Sequence, residues 1–447
     1  MPLTPPSLPN TTILNKDLFA CIVNVTALRI PAQQTHKLVA SLKGFLLRES
    51  RIKPVVDIPN HPKERLVLLD PDVAKEPNLE TLSNQLQELI QKAGASVTPY
   101  QLHLTYDSWS FDQIIRSVLP STLEVPSSFE SVGHIAHFNL RDEYLPYRHL
   151  LGQVLLDKAS HLRTVVHKLD SIDHTFRFFK MEVLAGEEDF MAEVHESNCR
   201  FKFDFSKVYW NSRLQMEHAR LLRFFKPGES ICDAFAGVGP FAIPAAKNQQ
   251  HTVFANDLNP NSYHALVENV KLNKVEDKVA TYNMDARDFF TIALRDLNDA
   301  QVQKSMAAKV KPCNTRSSKK RKQPNGISIS VPSVNDGPVK QWFNHYIMNL
   351  PAAAVDFLDV FAGLLSDFTN TIPHDKLPVI HCYCFTKGQE EAEQDAINLV
   401  SKHLGADLST SDLIDVHRVR DVSPKKEMFC VSFRLPPSVA FAKGLDV

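Results

Sequence analysis

No run of about 18 uncharged apolar residues occurs in the 447-residue chain, which excludes a membrane-spanning helix. Charge of one sign is missing as well. Fifty Lys and Arg stand against 51 Asp and Glu, a formal net charge of −1. Any surface for nucleic acid must then be a local patch. Cysteine has no pattern: the seven (21, 199, 232, 313, 382, 384 and 430) are odd in number, and no Cys/His group has zinc spacing. Neither disulfides nor a structural metal are expected, and a reducing compartment suits the chain. The first nine residues contain no Lys or Arg, unlike a secretory signal or a usual mitochondrial presequence. Cytoplasm and nucleus are the expected locations, with the mitochondrial matrix left open. Hydrophobic residues make up 43% of the chain and charged residues 23%. That is enough apolar material for a sizeable core, spread over two to four domains at roughly 100–200 residues each.

The texture changes along the chain. Residues 1–15 read as a flexible tail. Residues 16–130 mix short apolar runs with polar helical stretches, which predicts a small α/β or α+β domain. Residues 131–205 form a middle β-rich domain, with strands expected at 132–138, 176–183 and 201–205. In the last of these Phe201, Phe203 and Phe205 alternate with charged residues. From residue 206 apolar strand runs (230–232, 252–255, 279–282, 346–348 and 379–385) alternate with helical runs such as 261–272 and 389–404. That alternation predicts an α/β fold with a doubly wound, mostly parallel sheet. Two alternating runs, 414–419 and 428–435, close it as an antiparallel hairpin. Residues 303–338 are rich in Lys, Ser, Pro and Asn, too polar to offset their ordering entropy, and are expected to be a disordered insertion. They carry Lys319-Lys320-Arg321-Lys322, a solvated charge run, an import signal or an RNA-contacting arm.

The strongest motif is Asp233-Ala234-Phe235-Ala236-Gly237-Val238-Gly239-Pro240-Phe241, between a strand and a helix. Glycines at such a turn let the backbone approach a ligand, and the helix start offers free N–H groups. A third glycine is lacking, and no Gly-Lys-Ser/Thr follows, which disfavours a nicotinamide dinucleotide or ATP. Asp257, with Leu258 beside it, ends the next strand 20 residues beyond Gly237 and can accept hydrogen bonds from both ribose hydroxyls of an adenosine. Asp285, followed by Ala286, ends the third strand and can accept from an exocyclic amino group. Either acid could instead serve as a helix cap. Asn349-Leu350-Pro351-Ala352 ends the fourth strand, where an amide and a rigid Pro can present fixed polar groups to a planar ring. The same residues also suit an ordinary strand-to-helix turn.

These motifs, in this order, resemble an S-adenosylmethionine-dependent class I methyltransferase. The run Phe203-Asp204-Phe205-Ser206-Lys207-Val208-Tyr209-Trp210-Asn211-Ser212-Arg213-Leu214-Gln215-Met216-Glu217-His218 narrows the resemblance. It is similar to the eukaryotic and archaeal tRNA (guanine-N1)-methyltransferases that modify guanosine 37 of the anticodon loop. Where that family more often has Pro-Arg-Leu-Ser-Thr-Glu, this chain has Ser212-Arg213-Leu214-Gln215-Met216-Glu217, which keeps the Arg and the Glu. The resemblance covers roughly residues 130–447 apart from the insertion, and more faintly the N-terminal domain. It implies S-adenosylmethionine as methyl donor, no metal, and a tRNA partner. The N-terminal domain would grip tRNA at a distance, and 206–447 would be the catalytic domain. It places Asp233, Phe235, Gly237, Gly239, Asp257, Leu258, Asp285, Ala286, Asn349 and His218 around the donor.

Guanine N1 bears a proton that must leave before its lone pair can attack a methyl group. A positioned carboxylate can supply ~10²–10⁴-fold as general base. The resemblance puts that role on Glu217, which could equally be a first-turn acid favouring the helix dipole. Arg177, just before Glu182-Val183-Leu184-Ala185-Gly186, would stabilise charge on O6, and Asn349 would orient the base. His218 could also be an ordinary helix histidine. Tyr209, Trp210 and Phe178 are candidate stacking platforms, though each alone could be a core aromatic. Two other readings remain: an aminocarboxypropyltransferase of wyosine synthesis acting at the same position, and a non-catalytic tRNA-binding scaffold. A monomer is the default.

Overall fold

The computed structural model describes residues 3–49, 51–74, 83–126, 129–172, 179–308, 340–387, 391–423 and 426–442. The chain divides into two compact units, Met1–Leu169 with Met181–Asp189, and Asp170–Lys180 with Phe190–Val447. Among the described residues no helix is long and apolar enough to cross a membrane.

Up to residue 186 the chain runs β1 (Cys21–Pro31), α1 (Thr35–Ser41), β2 (Val55–Asp57), β3 (Glu64–Leu68), α2 (Asn84–Lys92), β4 (Ser96–Leu104), α3 (Phe111–Val118), β5 (Phe129–Val132), β6 (Ile135–Phe138), α4 (Arg148–Lys158), β7 (Thr164–Ile172) and β8 (Phe179–Gly186). An antiparallel sheet in the order β2-β3-β1-β4 is covered on both faces. Alternate residues of β1 point opposite ways. Leu28 and Ile30 pack with Leu38, Leu86 and Ile90, while Val25 and Ala27 pack with Trp109, Ile115 and Leu151. A second sheet has the order β5-β6-β7-β8. Residues 3–15, expected as a tail, pack against this unit. Leu3 is buried in the Trp109 cluster, and the Leu8 N–H donates to the Ser117 carbonyl at 2.8 Å.

From residue 190 follow β9 (Met191–Glu196), β10 (Cys199–Asp204), α5 (Gln215–Leu221), β11 (Ser230–Asp233), α6 (Ala242–Gln249), β12 (Thr252–Asn256), α7 (Pro260–Asn273), β13 (Val279–Tyr282), α8 (Ala286–Leu297), α9 (Ala300–Ala308), β14 (His345–Met348), β15 (Val379–Thr386), α10 (Ala392–Leu404), β16 (Leu413–Ser423), β17 (Lys426–Arg434) and α11 (Pro437–Ala440). Seven strands form one sheet in the order β13-β12-β11-β14-β15-β17-β16. The first five are parallel, and β17 and β16 run antiparallel beside them. This is the doubly wound sheet with a C-terminal hairpin that the alternation of runs predicted.

Two boundaries differ from those read in the sequence. The stretch 131–205 divides at about residue 190, because the β9–β10 hairpin belongs to the second unit. Its phenylalanines are buried, and asparagines of α7 hold its edge. Asn269 Oδ1 accepts from the Lys202 N–H at 2.7 Å, and Asn273 bonds both the N–H and the carbonyl of Arg200 at 3.0 and 2.6 Å. The insertion also begins later than residue 303. Helix α9 continues through 308, with Met306 buried in the core of the sheet. Residues 309–339, including the basic run Lys319–Lys322, lie outside the described residues.

Asn269 is fully buried and also donates to the Val238 carbonyl at 3.2 Å. Asn269→Ala strands both backbone groups and should cost about 1–3 kcal/mol of stability, read by denaturant unfolding. A change below a few tenths of that range would refute the anchoring role.

Candidate active site

Strand β11 pairs with β12 on one side and β14 on the other. The chain leaves β11 toward β12 and β13 and then returns past β11 to build β14. The connections therefore diverge at the carboxyl ends of β11 and β14 and leave a crevice, the usual ligand position in open α/β sheets. Asp233, the last residue of β11, is in register with Ile347, and Asn349 follows β14 directly.

The turn after β11 is shaped by its glycines. Gly237 has φ +56° and Gly239 φ +100°, backbone conformations that side chains disfavour. At Gly239 a Cβ would come within 2.7 Å of the Ile243 side chain on α6 and 2.9 Å of that of Leu266 on α7, both of which would have to shift. At Gly237 a Cβ would meet nothing within 4 Å. The turn is thus closed on the protein side and open on the other.

Asp257 pins this turn from the neighbouring strand end. Its Oδ2 accepts from the Gly237 N–H at 2.8 Å and its Oδ1 from the Asn259 N–H at 2.9 Å. Burial pushes its pKa up to about 6 despite these donors. Asp233 is more extreme. Neither of its buried oxygens has a well-formed hydrogen-bond partner. Burial, and then the charge of Asp257, raise its pKa to about 8. Asn349 Oδ1 is likewise buried and unpartnered. These buried polar atoms at the carboxyl ends of β11 and β14 are left with hydrogen-bonding capacity that hydroxyl or amino donors could meet.

Asn256, one residue before Asp257 and not singled out as a site residue, ties three strand ends together. Its Nδ2 donates to the carbonyls of Ala234 and Met284 at 3.2 and 3.0 Å, and its Oδ1 accepts from the Met284 N–H at 3.0 Å. Asp285 is exposed and N-caps α8 through the Arg287 N–H at 2.8 Å, so the capping role is realised. Ala286 is buried beneath it. Phe235 is half-buried, edge-on to Phe357 at 5.2 Å. Leu258 is 49% exposed.

Helix α5 supplies Glu217 and His218, both buried. His218 Nδ1 lies 2.5 Å from Glu196 Oε1, and its ring meets Phe241 edge-on at 4.7 Å, directly after the glycine turn. Glu217 is in the first turn of α5 but is not a solvated dipole partner. Arg220 grips both its oxygens at 2.6 and 2.7 Å, and the Tyr383 hydroxyl donates to Oε1 at 2.7 Å. Tyr383 also packs on Phe241, 6.2 Å between centroids, which links Glu217 to the turn. No local signal announced Arg220 or Tyr383. Trp210 is a core residue between Phe201 and Phe203, whereas Tyr209 is 50% exposed. Arg177 and Phe178 lie outside the described residues.

Asp233 and Asp257 hold protons more tightly in the folded chain than in the unfolded one. The stability this contributes is full below the unfolded carboxyl range near pH 4, and is lost as pH rises through about 6 and then about 8. Asp233→Asn mimics the protonated group and should flatten that decline. Urea midpoints at about pH 5 and about pH 8.5 test this; parallel declines in the two proteins would refute it.

Residues 192–310 match the model of the TRM5/TYW2 methyltransferase domain, and residues 111–189 that of the TYW2 N-terminal domain. The tRNA (guanine(37)-N(1))-methyltransferase of Batrachochytrium dendrobatidis is 46% identical over 442 residues, covering 98% of this chain and 92% of that protein. The Schizosaccharomyces pombe enzyme of the same name is 42% identical, covering 97% and 96%. Among solved structures, Trm5b of Pyrococcus abyssi aligns over 92% of this chain and 99% of its own, with a TM-score of 0.57 and 21% identity. A complex of aTrm5 with tRNALeu aligns with a TM-score of 0.61, 20% identity and the same coverage. Those two likenesses establish the fold. Identity of this level across nearly the full chain establishes more: the protein belongs to the tRNA (guanine(37)-N(1))-methyltransferase family.

Proposed function

We propose that this protein transfers the methyl group of S-adenosylmethionine to N1 of guanosine 37 in tRNA. The observation that carries this reading is the chain-long identity to enzymes of that name. The crevice supports the donor. Asp233 and Asn349 hold buried acceptors without partners, and the glycine turn is open at Gly237. Asp257 would take the ribose hydroxyls with the lone pairs its present donors leave free. Asp285 would take the exocyclic amino group, Phe235, Leu258 and Ala286 would flank the adenosine, and His218 would border it. When bound, the donor supplies an already activated methyl on a sulfonium, so the protein need only position the base and move a proton.

In this reading Glu217 accepts the N1 proton, Arg177 donates to the O6 that gains charge, and Asn349 orients the ring. The guanosine leaves the anticodon stack at a cost of a few kcal/mol, and stacking on the exposed ring of Tyr209 would offset part of that. The N-terminal unit grips the tRNA away from the anticodon. One match, the TYW2 N-terminal domain, also suits an aminocarboxypropyltransferase, whose product differs in mass.

Mass spectrometry of digested transcripts bearing guanine or adenine at position 37 decides between them. N1-methylguanosine from the guanine transcript alone is the expected result; an aminocarboxypropyl nucleoside, or donor binding with no product, would overturn the reading. Glu217→Gln should lose ~10²–10⁴-fold in single-turnover rate while still binding the donor. Arg177→Ala should lose about 2.7–4 kcal/mol of transition-state stabilisation. A near-normal rate in either variant would remove that residue from the mechanism.

A further inference from the structure

The last three strands carry polar groups in two adjacent rows facing helix α5. Tyr383 of β15, Cys430 of β17 and His417 of β16 are directly opposite one another in register. So are His381, Ser432 and Asp415. Glu217 and Arg220 project from α5 onto these rows. Arg220 uses Nε and Nη2 on Glu217, and its Nη1 donates to Asp415 Oδ2 at 2.7 Å. His417 Nε2 is 3.5 Å from Glu217 Oε2.

This arrangement poses a chemical difficulty. Two guanidinium N–H groups and a phenol O–H already occupy lone pairs of Glu217 that the N1 proton would need. Asp415 relieves it, because a guanidinium divided between two carboxylates holds each less strongly than one devoted to a single partner. The strand is shaped to put Asp415 there. Its register steps from Leu413↔Phe433 to Asp415↔Ser432, so Ile414 is an extra residue in a bulge. Bulges re-aim side chains, often beside active sites. Asp415 itself continues the unbroken register of Val416 and His417, two residues from His417 and on the same face, in the row that faces Arg220.

We propose that Asp415 is a positioning residue for methyl transfer: by sharing Arg220 with Glu217 it sets how readily Glu217 accepts the guanine N1 proton. The inference rests on Glu217 being the base. The proton passes from N1 to a Glu217 oxygen as the N1 lone pair forms the bond to the methyl carbon; the methyl–sulfur bond breaks, its electron pair returns to sulfur and the donor leaves as a neutral thioether, while Arg220 keeps its own protons throughout. The groups facing Glu217 and Arg220 are then Tyr383 and His381 from β15, Asp415 and His417 from β16, and Cys430 from β17.

Single-turnover methylation of a guanine-37 transcript, followed across pH, tests the idea. Asp415→Asn gives Arg220 wholly to Glu217. It should slow transfer roughly tenfold on the plateau and move the acid limb of the rate profile to lower pH, with donor affinity and melting temperature kept. Tyr383→Phe removes a donor from Glu217 and should move the limb the opposite way. Opposite displacements support the proposal, since a general loosening of the site would not produce them. A wild-type profile for Asp415→Asn, or displacement of both variants in one direction, overturns it. Glu217→Gln separates the two levels. If that variant methylates at the wild-type rate, the base assignment falls and this inference with it; if it is inactive while Asp415→Asn is normal, this inference alone falls.

Discussion

The pairing of β11 with β14 is the constraint from which the site follows. These strands are more than a hundred residues apart, yet their starts are locked reciprocally. The Ser230 N–H donates to Asn344 Oδ1 at 2.9 Å, and the Asn344 N–H donates to the Ser230 carbonyl at 2.9 Å. Once β11 has β12 on its other edge, the segments leaving β11 and β14 have to part, and Asp233 and Asn349 are left facing a crevice. The length of chain between the two strands matters little, because doubling a loop adds only about 0.6 kcal/mol of closure cost. A long polar segment between α9 and β14 is therefore compatible with an intact crevice.

The second unit distributes its polar side chains unevenly. Buried asparagines are fully engaged. Asn256 clamps the strand ends, and Asn269 and Asn273 bind the β9–β10 hairpin. Of the acids at the crevice, Asp257 is held by two backbone N–H groups, whereas neither oxygen of Asp233 has a well-formed hydrogen-bond partner. In a low-dielectric interior such a group is costly without a partner. A fold that engages these asparagines yet leaves Asp233 and the Asn349 amide oxygen without a well-formed partner holds a site organised ahead of its ligand. The same contrast divides the buried acids Asp233 and Glu217. Asp233 has no well-formed hydrogen-bond partner, whereas Glu217 is held by Arg220 and Tyr383, and Arg220 in turn by Asp415.

The antiparallel pair β16–β17 thus does more than close the sheet. On one side it completes a core with Phe429, Val431 and Phe433. On the other it carries Asp415, His417 and Cys430 toward α5, in a ladder interrupted by three register shifts. A structural edge and a polar support for Glu217 are built from alternate residues of the same strands, as strand geometry allows.

Several features were decided by local sequence. The alternation of apolar runs specified the doubly wound sheet, because strands buried on both faces read as continuous hydrophobic stretches. The glycine turn and Asp257 were legible because backbone conformation and strand-end chemistry are properties of adjacent residues. What lay beyond the sequence depended on partners far apart in the chain. The division of 131–205 was set by α7 asparagines some seventy residues downstream of the hairpin they bind. The surroundings of Glu217 were set by Tyr383, 166 residues away, and by Asp415, 195 residues from Arg220. By itself the sequence named the acid and its short-range neighbours. Only the tertiary structure decided whether that acid meets water, a helix dipole or a guanidinium, because hydrogen bonding and burial depend on what the fold brings within about 3 Å.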